Sequence, residues 1–196
     1  MKKKSQSDRQ KSEQATVFTM ISKGCKKKLT DKNSAVNAYI IVRALDDKVG
    51  FAYPEDIIPA VRKQQVTDLL IHCEKQNEWD FIELKGANIS SKQQHNPFEQ
   101  IRQTIEAMRV DEKWKAIVNG EGQKYAFIVS PGRQAIPKNI SSAKRRLWKI
   151  LHDTGSKGNM DDLIKMVKML PKSNCLDKTK SQLLCSNDFP LDIPFQ

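Results

Sequence analysis

The runs Val66-Thr67-Asp68-Leu69-Leu70-Ile71-His72-Cys73 and Trp79-Asp80-Phe81-Ile82-Glu83-Leu84-Lys85-Gly86 decide how this chain reads. Each is a short apolar stretch broken by an acid, and five residues separate them, which predicts two strands of an antiparallel hairpin. Symmetry about Lys75-Gln76 sets Asp68 against Glu83, Leu70 against Phe81 and His72 against Trp79. Residues two apart share a face of a strand, so Phe81, Glu83 and Lys85 project together, with Ile82 and Leu84 on the other side. A slip of one residue would carry Asp68 to the wrong face.

That register gathers two carboxylates and an ammonium. Cross-strand neighbours have Cβ atoms about 5 Å apart. Like charges that close repel unless something neutralises them. A divalent cation does so, and hard oxygen ligands with open positions suit Mg²⁺, with Mn²⁺ able to substitute. Lys85 would stand where an attacking water is held or where phosphoryl charge develops. The plain alternative is a solvated strand edge at Asp68 and a same-face Glu83–Lys85 ion pair at the surface. The strongly apolar setting of both acids argues for the site.

Working outward, a helix is predicted over residues 7–22, with Val17, Phe18 and Ile21 as a stripe and Gly24 as its stop. Residues 25–33 read as a lysine-rich connection. The stretch 34–46 reads equally as a helix capped by Ser34 or a strand over Tyr39–Val42. Pro54 and Pro59 mark 46–65 as loop or short strand. After a polar loop holding Ser90, Ser91 and Lys92, Pro97 opens an amphipathic helix with Phe98, Ile101, Ile105 and Met108 on one side, to about Val110. Tyr125–Val129 is a strand, with Asn119-Gly120 offering a hairpin turn back to Ala116–Val118. A second amphipathic helix spans Ser141–His152, closed by Gly155. Asn159 caps a third, over Met160–Leu170. The expected organisation is a disordered basic segment at 1–6, one α/β domain over 7–170 and a tail at 171–196. Its architecture is a small mixed sheet flanked by helices.

The chain has 196 residues and a formal net charge of +11, which favours a polyanionic partner. Lysines and arginines cluster, and Lys144, Arg145, Arg146 and Lys149 on the helix opposite Leu147, Ile150 and Leu151 are the candidate nucleic-acid contacts. No run approaches the roughly 20 apolar residues of a membrane span, and the basic start leads into no apolar stretch, so a cytoplasmic or nucleoid-associated protein, neither secreted nor membrane-bound, is expected. The four cysteines form no Cys-x-x-Cys and the three histidines complete no zinc pattern. Trp79 and Trp114 read as core or rim residues, Trp148, which flanks the basic helix, equally as such a residue or as a base-stacking platform, and His72 as a sheet histidine rather than a base.

Thr67-Asp68-Leu69-Leu70-Ile71, then Phe81-Ile82-Glu83-Leu84-Lys85-Gly86, then Glu99-Gln100-Ile101 resemble the PD-(D/E)XK nuclease superfamily in its Glu-Leu-Lys-Gly variant. The resemblance covers residues 7–130 and is specific over 66–103. Thr67 stands where the superfamily usually has proline. The resemblance implies a restriction-endonuclease-like core in which Asp68, Glu83 and the Leu84 carbonyl ligate Mg²⁺ and Lys85 is the catalytic lysine. It also implies Gln100 as a supporting helical residue and Glu13 as the acid of the first helix. Asp56 stays open as an alternative aspartate. A metal-dependent nuclease of restriction, defence, recombination or repair follows, acting on DNA in preference to RNA, as a homodimer or with a partner protein. A non-catalytic nucleic-acid-binding or interaction module of the same fold, or an RNA-cleaving nuclease, are the alternatives.

Overall fold

The computed structural model describes residues 17–32, 38–58, 66–86, 96–131, 140–170 and 183–195. Its centre is a strand, β6 (Glu78–Leu84), in which every residue is buried. Burial on both faces needs a layer on each side. On one side lie helices α2 (Pro97–Val110) and α4 (Ser141–Asp153), whose Phe98, Ile101, Ile105, Met108, Leu147 and Leu151 pack on Leu70, Phe81, Ala126 and Ile128. On the other side a three-stranded sheet supplies Leu29, Ile40, Val42 and Ile193 against Leu69, Ile71, Ile82 and Phe127.

The main sheet has seven strands in the order β1 (Thr19–Ile21), β4 (Val49–Ala52), β5 (Leu69–Cys73), β6, β7 (Gln123–Pro131), β8 (Ile164–Met169) and β9 (Leu183–Cys185). From β1 to β6 the pairing is antiparallel; from β6 to β9 it is parallel. The parallel pairs β6–β7 and β7–β8 are joined by segments that carry α2 and α4, as parallel neighbours require. The smaller sheet runs β10 (Leu191–Ile193), β3 (Tyr39–Ala44), β2 (Lys26–Thr30). Single helical turns, α1 (Pro54–Ile57), α3 (Lys115–Val118) and α5 (Met160–Leu163), complete the described residues. The protein is thus α/β with a mixed sheet flanked by helices and a second, smaller sheet. No helix among these residues is long and apolar enough to cross a membrane.

The hairpin register is the one expected, with Leu70 opposite Phe81 and His72 opposite Trp79. Several outer expectations change. Of the helix expected over 7–22, the described part forms β1: Phe18 joins the helix-side core and Ile21 the opposite one, a split that residues three apart make on a strand and not on a helical stripe. The lysine-rich connection holds β2, an exposed edge strand anchored by Leu29. Within the ambiguous stretch, Tyr39–Ala44 forms the strand β3, and 34–37 lie outside the described residues. Ala116–Val118 belongs to a helical turn, and β7 pairs with β6 in parallel rather than in a local hairpin.

Asn159 does cap a helix, its carboxamide oxygen accepting from the Asp161 and Asp162 N–H groups while Asp162 accepts from the Asn159 N–H. That helix stops at Leu163, because the open edge of β7 captures Ile164–Met169 as a strand. Residues 183–195, expected within a tail, supply β9 and β10 to the two sheets. The segments 1–16 and 87–95, with Glu13, Ser90, Ser91 and Lys92, lie outside the described residues.

Candidate functional site

Asp68 sits one step before β5, at the point where Leu69 pairs with Ile82, so the ladder continued by one residue sets it opposite Glu83. Its Oδ2 accepts a hydrogen bond from the Leu84 N–H at 2.6 Å, which ties the loop to the end of β6. Thr67 holds the same loop from the other side. Its hydroxyl donates to the Ile82 carbonyl at 2.8 Å, and its N–H donates to Thr104 Oγ1 at 2.9 Å. The Thr104 hydroxyl in turn donates to the Gln100 carbonyl, so helix α2 and the Asp68 loop are braced together. A proline at position 67 would have no N–H to give.

Glu83 is 0% exposed, which rules out a solvated strand face. Lys85 Nζ lies 2.5 Å from its Oε1 and donates to Gln100 Oε1 at 2.6 Å. Gln100 stands in the first turn of α2, where Asn96 caps the helix by accepting from the Phe98 N–H. The lysine therefore bridges strand and helix. Its contact with Glu83 is an ion pair, and Lys85 and the Asp68 N–H are the donors beside a buried carboxyl that has no further partner.

Burial drives the electrostatics. It pushes Asp68 up to about 7 against the opposing Leu84 N–H, and the negative charges of Asp31 and Glu55 add to the rise. Burial also holds Glu83 well above the carboxylate range; Asp68 adds to this and Lys85 opposes it. Two carboxyls beside one another, both raised by desolvation, share the single ammonium of Lys85, and a further positive charge there would relieve both.

Could these residues take a divalent cation? Among the described residues no group of three or more His, Cys, Asp or Glu side chains is gathered for a metal ion. Mg²⁺, however, is commonly held through one or two carboxylates, with waters and substrate phosphates completing its shell. The buried carboxyl of Glu83 and the adjacent Asp68 fit that smaller ligand set. Asp56, the alternative aspartate, instead pairs with Lys32 at 2.7 Å. Asp31 and Glu55 were not singled out from sequence, since each lies in a polar or proline-bounded stretch with no strand register to β6. Thr104 was equally hidden, being an ordinary helix residue until the fold sets it under Thr67.

The four basic candidates of α4 divide. Lys144 pairs with Asp161 at 2.6 Å, and Arg146 with Glu99 at 2.5 Å. Glu99 is buried and also accepts from Arg102, and these two guanidinium groups overcome the cost of burial to hold its carboxyl low. Arg145 and Lys149 are exposed. His72 stacks on Trp79 with ring centroids 3.9 Å apart, and burial lowers it to about 4, so it is a neutral sheet histidine. Trp79 and Trp114 are core, in edge-to-face contact with each other and with Phe18. Trp148 is half-buried and donates to the Gly158 carbonyl.

Compared with known proteins, the chain matches no family model, no curated protein and no solved structure.

Proposed function

We propose that this protein is a metal-dependent nuclease of the PD-(D/E)XK type with a restriction-endonuclease-like core, hydrolysing phosphodiester bonds, with DNA as the preferred substrate. The observation that supports it most is the convergence of Asp68, Glu83, Lys85 and Gln100, where a fully buried carboxyl is in ion-pair contact with an ammonium held by a helix. A divalent cation bound by Asp68 and Glu83, with the Leu84 carbonyl as a further ligand, would supply Lewis-acid polarisation of the phosphoryl group and acidify a water.

The chain's own groups do the rest. Lys85 is restrained by Gln100, so its Nζ stays in place to hold the incoming water and to stabilise negative charge as it develops on phosphorus oxygens. The buried surroundings strengthen that attraction by excluding solvent. Asp68 is kept facing Glu83 by the Leu84 N–H and by the Thr67 brace. The net charge of +11, with Arg145 and Lys149 exposed on α4, supports a polyanionic substrate.

The test is cleavage of plasmid DNA, single-stranded DNA and RNA under Mg²⁺ and Mn²⁺ titration, with Glu83→Ala and Lys85→Ala alongside the wild type. Metal-dependent cleavage lost in both variants, with DNA binding retained, supports the reading. Binding by the wild type without cleavage of any substrate would leave a binding module instead.

A further inference from the structure

Among the described residues, the buried hydroxyls of Thr67, Thr104, Thr154, Ser156 and Ser186 all have hydrogen-bond partners. Ser130 does not: it is 0% exposed and its Oγ meets no donor or acceptor. An unpaired buried hydroxyl costs about 1–3 kcal/mol, so its position matters. On β7 the residues Ala126 and Ile128 face the helices, and Ser130 continues their alternation. It therefore shares a face with Glu83 and Lys85. Leu84 pairs with Val129, and the Lys85 N–H donates to the Val129 carbonyl at 2.7 Å, so Ser130 is the register neighbour of Lys85. On its other side Ser130 pairs with Lys168 of β8. A hydroxyl thus stands between two lysine positions at the carboxyl ends of three parallel strands, the edge where open α/β sheets bind their ligands.

We propose that Ser130 is a further catalytic residue, its hydroxyl donating a hydrogen bond to a non-bridging oxygen of the scissile phosphodiester beside Lys85. This rests on the nuclease reading above. In the hydrolysis, water adds its oxygen to phosphorus, the phosphorus–oxygen bond to the departing nucleotide breaks, and the departing oxygen takes up a proton. Ser130 gains and loses no atom; it stabilises charge that grows on the phosphoryl oxygen. A donor aimed at developing charge in a dry site acts chiefly on kcat. The nuclease reading sets Lys85 against the phosphoryl oxygens, so its register neighbour Ser130 meets phosphate oxygen at the same place.

The test is Mg²⁺-dependent cleavage at saturating plasmid, with thermal unfolding measured on the same samples. Ser130→Ala is expected to lower kcat roughly 100-fold with KM little changed. Its unfolding midpoint should stay level or rise, since an unpaired buried hydroxyl has been removed. Ser130→Thr, which keeps the hydroxyl, should recover most of the rate. A Ser130→Ala rate close to that of an active wild type overturns the proposal. So does a rate loss that tracks a lower unfolding midpoint and is not recovered by Thr, which marks a packing role. If the wild type cleaves no nucleic acid with any metal, the nuclease reading itself fails and carries this proposal with it.

Discussion

A pair of acids lies at each face of β6, and the pairs are treated differently. On the helix side, Glu83 has Asp68 opposite, Lys85 in ion-pair contact and Gln100 beyond it. On the other side, Glu78 accepts a hydrogen bond from the Phe195 N–H at 2.8 Å, while Asp80 is 0% exposed with both oxygens unpaired. Burial raises both Glu78 and Asp80, and the charge of Glu78 raises Asp80 further. The rings on this side, Tyr125, Phe127 and Phe195, meet in tilted and edge-to-face contacts and carry no charge themselves. Lys165 sits over the ring of Phe195. One pair is supplied with a cation and a braced helix; the other is left to hold its protons. The contrast marks the first as a place for chemistry and the second as a neutral, structural interior.

The largest effect should come from exchanging charge for amide on each face. Glu83→Gln is expected to reduce metal-dependent cleavage by about 1000-fold or more, while Asp80→Asn leaves the rate unchanged; a plasmid-nicking time course reads both. Equal losses in the two variants would erase the distinction between the faces.

Stability against pH sharpens the second face. Glu78 titrates near 7 in the folded protein, against an ordinary value of 4.5, and Asp80 lies well above its ordinary 3.8. The folded state therefore holds more protons than the unfolded one between about pH 4 and 7, so stability is full below that window and falls as pH rises through it. Urea unfolding should show a protein less stable at pH 8 than at pH 5. Asp80→Asn should flatten that slope and gain about 1–3 kcal/mol at pH 8.

A smaller effect tests the brace on the first face. Thr104→Val leaves the Thr67 N–H without its acceptor and should cost about 1–2 kcal/mol in urea unfolding, with a several-fold loss of cleavage as Asp68 and Gln100 lose their common support. The smallest effect belongs to the surface. Arg145→Ala and Lys149→Ala should each weaken DNA binding a few-fold at low salt and reduce the slope of affinity against salt by about 1, measured by fluorescence anisotropy.

How far the sequence carried varies along the chain for physical reasons. The β5–β6 hairpin and its register were legible because Leu70, Ile71, Phe81 and Ile82 alternate between two buried layers, and a slip would move each to the wrong layer. Helices α2 and α4 were legible because each packs on one side only and shows a clean stripe. Leu163, Val167 and Leu170 carry helical spacing as well, yet residues 164–169 pair in parallel between β7 and β9, a long-range demand that no local window contains. The same holds for Phe18 and Ile21, which serve two different cores. Of the candidate site, Asp68, Glu83 and Lys85 could be read from the two strands, and Gln100 only through the family resemblance. Thr104 and Ser130 could not, since their roles arise only from what the fold sets beside them.

The smaller sheet has an order with a consequence for synthesis. Its middle strand pairs with Leu191–Ile193 in parallel, and Arg43 grips Asp192 at 2.6 Å across a separation of 149 residues. A nascent chain leaving the ribosome thus carries residues 39–44 with one edge bare until nearly 150 further residues have emerged. Through that interval an apolar strand edge is open to wrong partners, which makes this segment the point where chaperone binding and co-translational aggregation would concentrate.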